Sequence, residues 1–253
     1  MLRLGGRLVA ALMLLLGMNS HAETITIYSY HNHPPFVTGK STGLTFDLAD
    51  ALQKAPGNYK FEVRLVPRAR LNALLKNWIE GRCEDGSCDK NWLVPWVNPK
   101  WGFIKGPVDN YIWHELFDDS NSIVSHSDNP IDYKSPESLK GHLFAGMRGH
   151  RYVGIDDLVS RGEIKRVDGN RERDNLMKLL MKRVDATLLP TSTMQYLLNV
   201  DKTIQASAGK FSLASKKHQS YTRYMMVPGS RPDLLKILQN SSQATESLLS
   251  SYR

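Results

Sequence analysis

Between Thr24 and Ile79 the apolar residues repeatedly change their spacing, and that alternation limits the possible folds more than any other feature of the chain. Thr24-Ile25-Thr26-Ile27-Tyr28 is β-branched and alternates with period two, as a half-buried strand does. After a turn at Pro34-Pro35, the stretch from Gly43 to Lys54 carries Leu44, Leu48 and Leu52 at four-residue spacing, which predicts a helix with one apolar face. Phe61-Glu62-Val63-Arg64-Leu65-Val66 returns to period two. Leu71, Leu74, Leu75, Trp78 and Ile79 then fall at helical offsets. Strand, helix, strand, helix in this order implies a parallel open sheet with helices packed on it.

From Pro95 to Asp119 aromatic and turn residues replace any clear period, and the stretch reads as loops around a cleft. The pattern restarts after Ser120. Ser122-Ile123-Val124 is a short strand, and residues 135–141 form a helical turn ending at Gly141. The stretch 143–147 is again a strand, and Gly149-His150-Arg151-Tyr152 leads into a helix. Leu176, Leu179, Leu180 and Val184 mark another helix. Asp185-Ala186-Thr187-Leu188-Leu189 is a strand stopped by Pro190, with Thr191 or Ser192 capping the helix that follows through Leu198. A last helix runs from Pro232 to Ser250. With 253 residues the chain can build two lobes of about 100 residues each.

The first 22 residues stand outside this pattern. Arg3 and Arg7, the apolar run Leu8 to Met18 and the small-x-small Ser20-His21-Ala22 have the form of an export signal cleaved after Ala22. The apolar run is too short for a permanent span, so the expected product is soluble and periplasmic. Export fixes the reading of the only two cysteines: Cys83 and Cys88 pair as a disulfide closing a polar turn. A zinc site would need four ligands. The net charge of +8 falls to +6 without the leader, and no lysine tract points to nucleic acid. With 41% hydrophobic and 23% charged residues, the chain is neither disordered nor a many-pass membrane protein.

Several segments resemble the periplasmic receptors of polar amino acid ABC importers, the extracellular solute-binding proteins of family 3. They are Ile25-Thr26-Ile27-Tyr28 leading to His33-Pro34-Pro35-Phe36, the Gly43-Leu44-Thr45-Phe46-Asp47-Leu48 run, and Ser138-Leu139-Lys140-Gly141 with Gly149. Arg183-Val184-Asp185-Ala186, and Val227 followed by Arg231-Pro232-Asp233-Leu234-Leu235, complete the series. The likeness covers nearly all of the mature chain. It implies an α/β two-lobed periplasmic binding protein fold of type II, with two open sheets flanked by helices and joined by two crossing strands. Lobe 1 would comprise residues 23–119 and 220–253, and lobe 2 residues 120–219. A small solute would be held between the lobes without covalent chemistry or cofactor, and the protein would act as a monomer. The closed form would be read by an inner-membrane ABC permease or, alternatively, by a membrane sensor.

The departures from the family bear on the ligand. Amino acid receptors clamp the α-carboxylate with an arginine in a T-x-x-R element; the matching residues here are Val97-Asn98-Pro99-Lys100-Trp101, where Lys100 offers only a point charge. The acid that holds the α-ammonium in those receptors is matched by Pro190. An ordinary α-amino acid is therefore not the expected ligand. By match to cleft positions of the family, the candidate binding residues are His33, Arg68, Arg70, Trp92, Trp96, Lys100, Trp101, His150, Arg151 and Tyr152. The last three match a helix N-terminus that receives an anionic group in relatives. Together they describe a basic, aromatic lining suited to an anionic or planar solute. Each has a plain structural alternative: the tryptophans as core or cover, the arginines as solvated helix-start charges. His31 and His33 lack further ligands for a metal, and Asp118 and Asp119 sit where a hinge or solvated role is expected. An enzyme on this scaffold, such as the related dehydratases, would need a general acid where Pro190 stands. The chain carries neither a Gly-x-Ser-x-Gly elbow nor a phosphate loop.

Overall fold

The computed structural model describes residues 22–83, 88–104, 110–240, 246–248, 250 and 252, so the expected leader, apart from Ala22, lies outside the described residues. Strand β1 (Glu23–Ser29) pairs in parallel with β2 (Tyr59–Leu65) on one side and β3 (Trp92–Val97) on the other. Helices α1 (Leu44–Gln53) and α2 (Arg68–Ile79) alternate with these strands, as the periodicity predicts. Leu44, Leu48 and Leu52 pack with Ile25, Ile27 and Leu93, while Leu71 and Leu75 pack with Trp92 and Val94. Adjacent residues of β3 thus feed two different clusters, as a strand covered on both faces must.

The expectation of loops from Pro95 to Asp119 is corrected. A 16-residue strand, β4 (Tyr111–His126), begins inside that stretch and absorbs the short strand expected at residues 122–124. It runs antiparallel to β9 (Gln219–Pro228) from Tyr111↔Pro228 to Asn121↔Gln219. Tyr111, Ile112, Trp113 and Phe117 are good strand formers, but the polar Glu115, Asp118 and Asp119 among them hide the alternation.

Past Asn121, β4 continues into the second half and pairs with β7 (Ala186–Pro190). The sheet then passes to β5 (Leu143–Met147) and β6 (Lys165–Gly169), with β8 (Phe211–Leu213) beside the end of β4. The strand order is β2-β1-β3-β9-β4-β7-β5-β6. The two open sheets expected are therefore joined into one hydrogen-bonded surface, because β4 and β9 belong to both. Helices α3 (Ile155–Ser160), α4 (Glu172–Leu180), α5 (Thr191–Val200) and α6 (Lys202–Ala206) cover this half. Ile123, Phe144 and Leu188 go to one cluster and Val124, Ala145 and Leu189 to another. The arrangement is a two-lobed type II fold with a core on each face of each half.

Three further expectations change. The helix after Tyr152 starts only at Ile155 and has six residues. The turn at 135–141 is a single 3-10 turn, Pro136–Leu139, and ends before Gly141 at φ +80. Neither Thr191 nor Ser192 caps α5, since Pro190 stands at its N-cap and both hydroxyls bond elsewhere. The last helix, α7 (Pro232–Asn240), packs Leu234, Ile237 and Leu238 onto the first half, and part of its expected continuation lies outside the described residues. Cys83 and Cys88 form the expected disulfide, with Cα atoms 5.2 Å apart. Among the described residues no helix is long and apolar enough to cross a membrane.

Candidate functional site

Where the halves face each other lies a cavity of about 720 Å³. The first half contributes Tyr30, His31 and His33 from the loop after β1, Arg68 from α2, and Trp101; Tyr221 and Arg223 come from β9. The second half contributes Met147, Arg148, His150, Arg151 and Tyr152 after β5, Glu172 at the start of α4, and Leu188 and Pro190 from β7. Four guanidinium groups and four imidazoles, counting His218, thus line the cavity with one carboxyl among the described residues.

The first wall is tightly braced. Arg68 donates from Nη1 to Tyr30 Oη at 2.9 Å, from Nη2 to the Trp101 carbonyl at 2.7 Å and from Nε to Asn72 Oδ1 at 3.0 Å. Its guanidinium also lies 3.9 Å over the Phe103 ring. Arg223, almost fully buried, donates from Nε to Asp119 Oδ2 at 2.8 Å and from Nη1 to the Trp96 carbonyl at 2.9 Å. Ser192 Oγ and the Ser120 N–H, each at 2.8 Å, also donate to the Asp119 carboxylate. Asp119 is therefore a buried counter-ion where β4, β9 and α5 meet, and the solvated alternative does not hold for it. Thr193 Oγ1 donates to the Pro34 carbonyl at 2.7 Å and lies 3.3 Å from His33 Nδ1, linking α5 to the loop that carries His33.

These cations govern the imidazoles. Burial, and next the Arg223 charge, hold His33 at a pKa of about 4. The same two causes push His31 well below the usual histidine range. Its ring touches Tyr30, Phe36 and Trp101, and its Nε2 is buried with no hydrogen-bond partner among the described residues. Burial also lowers His150 and His218 and pushes Tyr152 up to about 12. At neutral pH the fixed positive charge of the cleft comes from its arginines.

The second wall is held from behind. Arg166, on β6, pairs with Asp156 at 2.8 Å and Asp168 at 2.7 Å and donates to the carbonyls of Met147 and His150. The Met147 N–H donates to Tyr152 Oη at 2.8 Å, and the Tyr152 N–H to Asp156 Oδ2 at 2.9 Å. The backbone donors of His150 and Tyr152 are thus used within the loop and the short α3. Arg148 and Arg151 are exposed, and among the described residues their side chains make no ion pair.

Of the ten residues expected at the site, the structure brings His33, Arg68, Trp101, His150, Arg151 and Tyr152 together on the cavity. It takes the other four elsewhere. Arg70 and Trp92 border a separate groove of the first half with Trp78, because α2 turns successive residues away from the cleft and Trp92 packs edge-to-face on Trp78, centroids 5.2 Å apart. Trp96 is fully buried beneath the cleft. A bulge at Pro95 and Trp96, the latter at φ +68, reverses the strand's facing and sends the indole to Thr45 Oγ1 at 3.0 Å. Lys100 lies in a side groove with Asn98 and Tyr224. Arg223 and Glu172 were missed. A lone arginine inside the apolar run Tyr221-Thr222-Arg223-Tyr224-Met225-Met226 was a readable signal; Glu172, inside Arg171-Glu172-Arg173-Asp174, had none.

No family model and no curated protein matches the sequence. Solved structures do match in shape. A mutant of ArgBP from T. maritima is 17% identical, with a TM-score of 0.59, over 90% of this chain and 94% of its own. The GluR0 ligand-binding core in complex with L-glutamate is 14% identical, with a TM-score of 0.59, over 92% and 99%. The ancestral amino acid-binding protein AncCDT-1, a precursor of cyclohexadienyl dehydratase, is 15% identical, with a TM-score of 0.55, over 90% and 95%. At these identities the likeness establishes the fold.

Proposed function

We propose that this protein captures a small polar or anionic solute between its two lobes in the periplasm and presents it to an inner-membrane ABC-type importer. The observation that carries this reading is the cavity itself, walled by both halves and lined by arginines and aromatic rings. The binding residues we assign are His33, Arg68, Trp101, His150, Arg151 and Tyr152, joined by Tyr30 and Arg223. Of the five N–H donors of Arg68, protein groups among the described residues take three, and two are left for a ligand carboxylate or comparable anion. Tyr30, Trp101 and Tyr152 suit the flat faces of such a solute. The lobe boundaries we assign fall at 119/120 and 219/220, where Asp119↔Tyr221 and Ser120↔Ser220 pair on the crossing strands. Solutes bound by ArgBP and GluR0 place amino acids among the first compounds to test, although this cleft lacks the usual α-amino acid clamp.

Melting shifts with amino acids, organic acids, polyamines and sugars test the reading. A true ligand at 100 times its Kd adds about 2.7 kcal/mol to the folded state. Arg68→Ala is expected to abolish most of that shift. If no class of compound raises the melting temperature, the capture reading is wrong. A second reading, chemistry in the cleft, has the buried Glu172 carboxyl and the likeness to AncCDT-1 in its favour. Recovering each stabilising compound unchanged after incubation supports capture, and finding a product supports an enzyme.

A further inference from the structure

Apart from bonds between the crossing strands themselves, the side-chain hydrogen bonds and ring contacts that join the two halves, among the described residues, all fall on α5. Ser192 donates its N–H and Oγ to Asp119 at 3.2 and 2.8 Å, and Thr193 Oγ1 donates to the Pro34 carbonyl at 2.7 Å. The third point is Tyr196, one turn farther along the same face of the helix. Its ring stacks on that of Tyr252, centroids 5.9 Å apart and planes 15° from parallel. Tyr252 is in turn tied twice to the first half. Its ring packs on the cluster of Ile25, Leu44 and Leu48, and its Oη donates to the Asp47 carboxylate on α1. Burial, and next that hydrogen bond, push the phenol above the ordinary tyrosine range, so it remains a donor. Tyr252 does not line the cavity.

We propose that Tyr252 is a strap between the halves, anchored on Asp47 and seated on Tyr196, that holds the cleft at the width seen here and resists its closure. Among the described residues no hydrogen bond, ion pair or ring contact joins Arg68 or Trp101 of one wall to Arg148, Arg151 or Tyr152 of the other. Bringing those walls together turns α5 against α1. Ser192 is bonded to Asp119 on a crossing strand, so the start of α5 stays near the pivot. Tyr196 stands about 4.5 Å beyond Thr193 along the helix, and the turn slides its ring off a partner that Asp47 holds in place. One stacked aromatic pair is enough to shift a two-state equilibrium by about three- to tenfold. The strap concerns the swing between the halves, beyond the capture reading, and depends on no particular solute.

The test needs no ligand. Nitroxide labels are attached at Lys76→Cys on α2 and Lys165→Cys on β6, both exposed and outside any ion pair among the described residues. The purified mature protein is kept free of reductant so that Cys83–Cys88 stays closed. The separation of the labels is measured by pulsed electron resonance, alongside the melting temperature. Tyr252→Ala and Tyr196→Ala are each expected to raise the population at shorter separations about three- to tenfold, and the double variant to go no further than either, as two sides of one contact do. Tyr196→Ala reads the same contact from the other half should Tyr252→Ala fail to fold. If Tyr252 only covers the apolar cluster of the first half, its loss lowers the melting temperature and leaves the separations unchanged, and that result overturns the inference. A shift toward longer separations, or one in Tyr252→Ala that Tyr196→Ala does not share, overturns it too. Capture itself is decided separately, by the melting screen.

Discussion

The two walls of the cleft use the same residue types in opposite ways. On the first half Arg68 and Arg223 are engaged by Tyr30, Asn72, Trp101, Asp119 and Trp96 before any solute arrives. On the second half the side chains of Arg148 and Arg151 have no such partners among the described residues. A braced guanidinium keeps its position and loses little freedom when a ligand binds; an unbraced one must be ordered by the ligand. The first wall is therefore a fixed template, and the second carries the side chains that the proposed solute would order.

Breaking the braced side produces the largest effect. Asp119→Ala leaves Arg223 buried without its counter-ion and is expected to cost about 3–5 kcal/mol in urea unfolding. The double variant Asp119→Leu with Arg223→Met is expected to recover much of that loss. A single variant losing under about 1 kcal/mol would erase the contrast between the walls.

Acid is the next way to disturb the template. His33 is neutral in the folded protein down to about pH 4, whereas in the unfolded chain it takes up a proton near its ordinary pKa of about 6.5. The unfolded state therefore binds more protons across that window. The His33 contribution is complete above about pH 6.5 and is lost as pH falls through about 4. His31 acts in the same direction. Urea midpoints measured from pH 7 to 4 are expected to fall, with a slope of at most about 1.4 kcal/mol per pH unit for one proton. His33→Asn is expected to flatten that decline, and an unchanged slope would remove His33 from the account.

The smallest effect belongs to the open wall. Arg151→Ala and Arg148→Ala are expected to leave the unliganded stability within about 0.5 kcal/mol. Each should nonetheless weaken binding of a solute found by the melting screen and reduce the salt dependence of its Kd. A loss of stability comparable to that of Asp119→Ala would mean that the second wall is braced as well.

The sequence discloses the fold best where apolar spacing and secondary structure agree, as in β1, α1, β2 and α2. It conceals β6, whose Lys-Arg-Val-Asp-Gly reads as surface because the strand works through Arg166 rather than through buried aliphatic residues. It conceals β4 because the cleft and crossing interrupt the alternation with Asp118 and Asp119. At the site, residues next to a local motif, such as His33 and Tyr152, are legible. Arg223 shows only as a lone arginine in an apolar run and Glu172 not at all, since their meaning depends on strands and helices distant in sequence. The bulge at Trp96 shows how one inserted residue reassigns a side chain from wall to foundation.

The lateral bonding of β4 to β9 through the waist has a mechanical consequence. Two separate tethers would let the halves shear, twist and drift apart, but a two-stranded ribbon resists stretching and sideways slip while still bending across its thin direction. In the proposed capture, opening and shutting would thereby reduce to a swing about one axis, like a leaf spring. In the proposed capture, the mouth of the cleft opens along a path set by the backbone pairing of the two crossing strands.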